Sequence, residues 1–168
     1  MFGVKKSSFS LPSSKNSSMV NDINAIKQHV AWIEFLPDGE IISANQQFLD
    51  LVGYSLSDIQ GKHHRLFCSP DYARSTVYSN FWHTLATGES ITGIFERFSK
   101  QHQRFYLSAT YFPVSDEKGH VYKVIKLATD ITERHHVLKH KEAVITALDR
   151  SMAVIEFTPE GQILTANN

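Results

Sequence analysis

The sequence predicts an α+β fold: a five-stranded antiparallel sheet with short helices gathered on one face. Three observations lead there. Residues 31–48 (AWIEFLPDGEIISANQQF) read as strand, tight turn, strand, helix. Two apolar runs flank Pro37-Asp38-Gly39, and Asn45 stands as N-cap before a helical pattern at Phe48, Leu49 and Val52. Residues 55–88 then carry only short helical patterns. Residues 91–131 hold three runs rich in β-branched and aromatic residues, joined by hairpin-length links, which is an antiparallel meander.

Taken in order, residues 1–20 read as a disordered Ser-rich tail. From Asn21, taken as a cap, Ile23, Ile26 and Val30 are spaced for a short amphipathic helix. The hairpin follows, then the helix ended by Gly53. Ser55 and Asp58 have the spacing of a capping box for another short helix. The His-rich stretch GKHHRLFCSPDY has no clear periodicity. Val77, Phe81, Trp82 and Leu85 then repeat at helical spacing, with Gly88 past the end. In ITGIFERFS, Ile94, Glu96 and Phe98 share one face and Gly93, Phe95 and Arg97 the other. RFYLSATYFPVS and HVYKVIKLATDI complete the meander. Beyond it, Ile131, Leu138, Ile145 and Met152 lie seven apart, predicting a linker helix over 133–151 with a heptad-like seam. That seam is buried either on its own domain or against a second copy.

The hairpin also recurs. At an offset of 122 residues (Ile33 to Ile155), 9 of 18 positions are identical between His29–Gln46 and Ser151–Asn168. Residues 152–168 therefore read as the first hairpin of a second, truncated module whose supporting elements are missing.

Composition is that of an ordinary globular protein, 42% apolar and 20% charged. Zero formal net charge argues against nucleic acid as a partner. The single cysteine, Cys68, excludes an internal disulfide and fits a reducing compartment. No apolar run approaches the roughly 20 residues of a membrane span, and the N-terminus lacks the apolar core of a signal peptide. Phosphate-loop, nucleophile-elbow and paired-cysteine signatures are missing, so the reading is a non-enzyme. Glu34 and Glu96 read as structural carboxylates. Cys68, near Arg65 and two histidines, has the surroundings of a thiol with lowered pKa. His136 and His140 share a helix face but have no cluster around them to complete a zinc site.

The motifs ANQQFLDLVGYSLSDIQGKHHRLF (Ala44–Phe67), FWHTLATGE (Phe81–Glu89), YFPVSDEKGHVYKVIKLATDIT (Tyr111–Thr132) and the closing DIT resemble a PAS sensory domain over residues 21–132. They are most similar to PAS domains of bacterial tandem-PAS methyl-accepting chemotaxis transducers of the biofilm-dispersion and aerotaxis type. The resemblance implies a cytoplasmic sensor of redox state, oxygen or a small molecule that signals through its exit helix. It also implies a homodimer through the N-terminal and linker helices, and chemotaxis signalling proteins as partners of a further C-terminal domain. The alternative is a ligand-free PAS module for dimerisation and scaffolding.

Related photosensors carry a cysteine within G-x-N-C-R-F-L. Here GKHHRLF has His64 in that place, which argues against a flavin–cysteine adduct, and Cys68 is expected to point elsewhere. FAD and haem remain open as cofactors. By resemblance, Trp82 would stack on a flavin, His64, Arg65 and Asp71 would line the site, and His83, His63 or His64 would ligate haem iron. Asn45 would cap the first helix beside the pocket.

Overall fold

The computed structural model describes residues 15–152 and 155–166. They form two compact units that divide between Asp130 and Ile131.

The first unit opens with α1 (Lys15–His29), then β1 (Ala31–Phe35) and β2 (Ile41–Ala44). Short helices follow: α2 (Gln46–Val52), α3 (Leu56–Ile59), a 3-10 turn (His64–Phe67), α4 (Pro70–Ala73) and α5 (Thr76–Ala86). The meander is β3 (Ile91–Phe98), β4 (Arg104–Ser115) and β5 (Val121–Asp130). The strands form one five-stranded antiparallel sheet in the order β2-β1-β5-β4-β3. The predicted fold class is therefore observed.

Local chemistry accounts for most boundaries. The Asn45 carboxamide oxygen accepts from the Phe48 amide at 3.0 Å, and Gly53 ends α2 in the left-handed region at φ 71°. Ser55 and Asp58 form the expected capping box. Two expectations change. Asn21 is not a cap, because α1 begins at Lys15 and runs through it; the rest of the expected tail, residues 1–14, lies outside the described residues. Val77 is exposed, and Tyr78 takes its place on the buried face of α5, whose cap is Ser75.

The core lies between the helices and one face of the sheet. Ile33, Phe35, Val52, Ile59, Leu85, Leu107, Tyr111 and Val124 have no solvent exposure. Each large apolar side chain buried this way stabilises the fold by about 1.5–3 kcal/mol. Small residues make one row across the sheet, Ala31, Ala128, Ala109 and Gly93, each the partner of the next. The neighbouring inward row runs Ile33, Lys126, Tyr111 and Ile91.

The β1–β2 turn is docked onto the helical layer rather than left in solvent. The Gly39 carbonyl accepts from the His64 amide at 2.8 Å, and Glu40 bridges to His63. Gly39 has φ 96°, and a Cβ there would sit 2.7 Å from Cε2 of Trp82 and 2.9 Å from Cε1 of His63. Only glycine meets both demands.

The second unit holds α6 (Thr132–Ser151), β6 (Ile155–Phe157) and β7 (Ile163–Ala166). The β6–β7 ladder reproduces the β1–β2 ladder at the same offset: Ile155↔Ala166, Glu156↔Thr165 and Phe157↔Ile163 mirror Ile33↔Ala44, Glu34↔Ser43 and Phe35↔Ile41. The bulge falls at the same place, and Gly161 repeats the positive φ of Gly39. Where β1 is buried, every side chain of β6 and β7 is exposed.

Replacing Gly39 with Ala adds left-handed strain to overlap with Trp82, whereas Gly119 has φ 83° but open space around it. Denaturant unfolding is expected to show Gly39→Ala destabilised by about 3 kcal/mol and Gly119→Ala by about 1 kcal/mol. Equal losses would mean that the docked turn is not tightly packed.

Candidate functional site

Backbone pairing delivers His64 to the centre of the molecule. The Ile41 amide donates to the Lys62 carbonyl and the His64 amide to Gly39, so the segment runs along the hairpin. The chain then tightens into the 3-10 turn, and the His64 ring enters the core with no solvent exposure. Phe35 and Trp82 stand edge-on to it at 5.4 Å, and the ring of Tyr78 stacks alongside at 5.9 Å.

Both ring nitrogens are engaged. Nδ1 lies 3.0 Å from the Tyr78 hydroxyl and Nε2 lies 3.1 Å from the Tyr111 hydroxyl. The two ends of this chain fix its direction. At one end Nη2 of Arg97 donates to the Tyr111 oxygen at 3.3 Å, since a guanidinium only donates. At the other, Nδ1 of His63 accepts from the Arg65 amide at 3.2 Å, so it is unprotonated and also accepts from the Tyr78 hydroxyl at 3.2 Å. Tyr78 therefore accepts from His64 Nδ1–H, and the Tyr111 hydroxyl donates to Nε2. This arrangement satisfies both tyrosine hydroxyls and both ring nitrogens of His64, with His64 neutral and protonated on Nδ1. The reverse tautomer would leave the buried Tyr111 hydroxyl hydrogen without an acceptor.

Electrostatics agree. Burial holds the His64 imidazole well below its ordinary pKa, with Arg97, Lys126 and His63 adding repulsion. Burial likewise pushes the Tyr111 hydroxyl up to about 12 and raises that of Tyr78. Cys68 Sγ lies 3.8 Å from His64 Nδ1, so Cys68 joins the cluster instead of pointing elsewhere. Burial raises its pKa, which overturns the reading of a low-pKa thiol.

Two buried basic side chains complete the site. Arg97 is 3% exposed and Lys126 is 1% exposed, yet among the described residues neither forms an ion pair. Arg97 donates to the Glu96 carbonyl and to Tyr111, but its Nε has no partner. The ammonium of Lys126 lies 5.0 Å from the Tyr111 ring centre and 5.6 Å from that of Phe48. Burial, then Arg97, depresses its pKa well below the usual lysine value. Beside Arg97 a cavity of about 410 Å³ is lined by Ser69, Tyr72, Ile94, Phe95, Glu96 and Arg97.

The structure divides the expected site residues. His64 and Trp82 are together in the core. Arg65, Asp71 and His83 are exposed, and Asp71 pairs with Arg74 on the surface. Asn45 is fully occupied as a clamp. Its oxygen accepts from the Phe48 and Trp32 amides, and its nitrogen donates to the Lys27 and Val30 carbonyls. No hydrogen-bonding capacity remains for a ligand. Haem and flavin do not fit these residues as arranged. Both His64 nitrogens are bound to tyrosines, His83 is exposed, and Trp82 is packed against Phe35, Phe81, His63 and the Gly39 turn. Sequence reasoning missed Tyr78, Tyr111, Arg97 and Lys126. The signal was there in phase: Lys126 falls between Val124 and Ala128 on the inward face of β5, and Arg97 follows Phe95 on that of β3.

A neutral buried histidine makes stability depend on pH. The unfolded chain takes up a proton as pH falls below about 6.5, while folded His64 does not. Its contribution is thus present above that value and lost below it, by up to about 1.4 kcal/mol per pH unit. Thermal unfolding is expected to show Tm falling more steeply between about pH 7 and pH 5 for the wild type than for His64→Gln. Parallel curves would show that His64 titrates freely.

Comparison with known proteins follows from this geometry. A family model described as the PAS fold matches residues 41–128. The biofilm dispersion protein BdlA of Pseudomonas aeruginosa is 42% identical over 144 residues, covering 86% of this chain and 34% of that protein. The aerotaxis receptor of Escherichia coli is 28% identical over 93 residues, covering 55% of this chain and 18% of the receptor. The chain thus spans about a third or less of these relatives. Among solved structures, an RNA-binding light-oxygen-voltage receptor superposes with a TM-score of 0.65 at 20% identity, covering 88% of this chain and 41% of that one. A PAS domain from Colwellia psychrerythraea gives 0.61 at 18% identity, covering 69% of this chain and 98% of that one. At these identities the structural likeness speaks for the fold. With the sheet order, the matched residues and the sequence relatives in agreement, the chain belongs to the PAS fold family.

Proposed function

We propose that residues 21–132 are the sensory PAS module of a signal transducer of the bacterial chemotaxis kind, responding to a small ligand in its core and signalling through α6. The observation that carries this reading is the unpaired buried Arg97 and Lys126, joined to the tyrosine–histidine chain beside an open cavity. A core built only for stability gains nothing from an uncompensated buried guanidinium. Lys126 sits on β5, the strand that leads through Asp130 into α6, so an event at its ammonium has a short covalent route to the exit helix. The sequence similarity to BdlA and to the aerotaxis receptor supports a transducer setting, with chemotaxis signalling proteins as partners of segments outside this chain. We place the module on the cytoplasmic side. Domain limits at 133–151 for the linker and 152–168 for the start of a second PAS module belong to the same proposal.

A second reading is favoured by exposed apolar residues. Met19, Val20, Ile23 and Ile26 on α1, and Leu138, Ile145 and Leu148 on α6, are the stripes that a homodimer would cover. In that reading the module is a ligand-free scaffold.

Amide exchange separates the two. If the core signals, Lys126→Met changes the protection of α6 amides, since a ligand-sensitive element must couple to the output. Unchanged α6 exchange, with exchange altered only in β1, β4 and β5, would overturn the sensory reading and favour the scaffold.

A further inference from the structure

The site carries a statement about the class of ligand, which rests on the sensory reading above. Three independent features converge on Arg97. Its side chain is almost completely buried, its Nε has no hydrogen-bond partner, and it borders the cavity of about 410 Å³. Lys126 brings a second buried basic group to the same tyrosine, with no carboxylate of the described residues paired to either. Glu96, also in the cavity lining, does not serve, because it is engaged by Arg104 at 3.6 Å and by the Tyr106 hydroxyl at 3.3 Å. Buried positive groups without a counter-charge are costly, and a guanidinium with an unused N–H edge suits a planar oxyanion. Two aromatic rings share the lining with Ser69, Ile94 and Glu96: Arg97 lies 5.1 Å from the Phe95 ring centre and 5.8 Å from that of Tyr72.

We propose that the module binds a small organic carboxylate, its carboxylate group held by Arg97 and its apolar body lodged against Tyr72 and Phe95. Each part of such a molecule matches a part of the site. The charge answers the guanidinium, the planar group answers its edge, and the hydrocarbon answers the rings. A neutral molecule of the same shape satisfies the rings alone and leaves the guanidinium uncompensated. Ligand charge is therefore what the site reads.

The test uses thermal unfolding of the whole chain with benzoate and butyrate, and with benzyl alcohol and butanol as uncharged counterparts. The carboxylates are expected to raise Tm saturably, by roughly 5 °C at about ten times the dissociation constant, and the alcohols to leave it unchanged. Lys126→Met changes a residue outside the cavity lining and keeps the volume, so it is expected to fold and to keep the carboxylate response. Arg97→Gln is expected to lose it. Equal responses to acid and alcohol, no saturable response to either acid, or a full response in Arg97→Gln would overturn the proposal. If the carboxylates fail while Lys126→Met still alters α6 exchange, only the ligand class falls. If α6 exchange does not change, the sensory reading falls whatever the carboxylates do.

Discussion

One imidazole without solvent contact ties the two layers of this PAS module together. His64 reaches Tyr78 on α5 with one nitrogen and Tyr111 on β4 with the other. Its own amide is fixed to the β1–β2 turn. Helix, sheet and hairpin thus meet at a residue whose polar atoms are all spent. The chain runs from Arg97 to His63 Nδ1 and is anchored by the guanidinium at one end and the Arg65 amide at the other, each of which can only donate. Such a network is stable when every member is satisfied and expensive when one is not, so it fixes a single arrangement of the core. Arg97 extends it to the cavity wall.

The outer parts of the fold were legible in the sequence because they follow local rules. Asn45, Gly53 and the Ser55–Asp58 box mark helix ends through hydrogen bonds within a few residues. Strands declare themselves through β-branched and aromatic runs. The interior of the site was not legible in the same way. Lys126 and Arg97 look like solvent-facing residues by type, and only their phase, set between Val124 and Ala128 and after Phe95, places them inside. Which face of β3 is buried depends on the helical layer that covers it. There Ile94 is exposed and Arg97 is not, the reverse of what hydropathy suggests. Asn45 shows the opposite error. The sequence marked it correctly as a cap and also as a pocket residue, but its contacts to α1, β1 and α2 leave it structural. Cys68 and Asn21 misled for the same reason: burial and the extent of α1 are decided by tertiary neighbours, not by the flanking residues.

The repeated hairpin separates what a sequence specifies alone from what it needs company to use. β6 and β7 reproduce the register, bulge and turn of β1 and β2. Those features belong to the local sequence and its Pro-x-Gly turn. Burial does not carry over. Ile33 and Phe35 have no exposure, whereas Ile155 and Phe157 are exposed. The hairpin is a template, and its packing comes from the sheet and helices around it.

The central claim is that His64 is neutral, protonated on Nδ1 and hydrogen-bonded at both nitrogens in the folded module. Nitrogen-15 NMR of labelled histidine reads this directly, because protonated and unprotonated ring nitrogens resonate far apart. The account predicts a protonated Nδ1 and an unprotonated Nε2 for His64, unchanged as pH falls through the ordinary histidine range near 6.5. An Nε2–H tautomer, or a ring that charges near that pH, would contradict the donor chain and the tie between sheet and helices built on it.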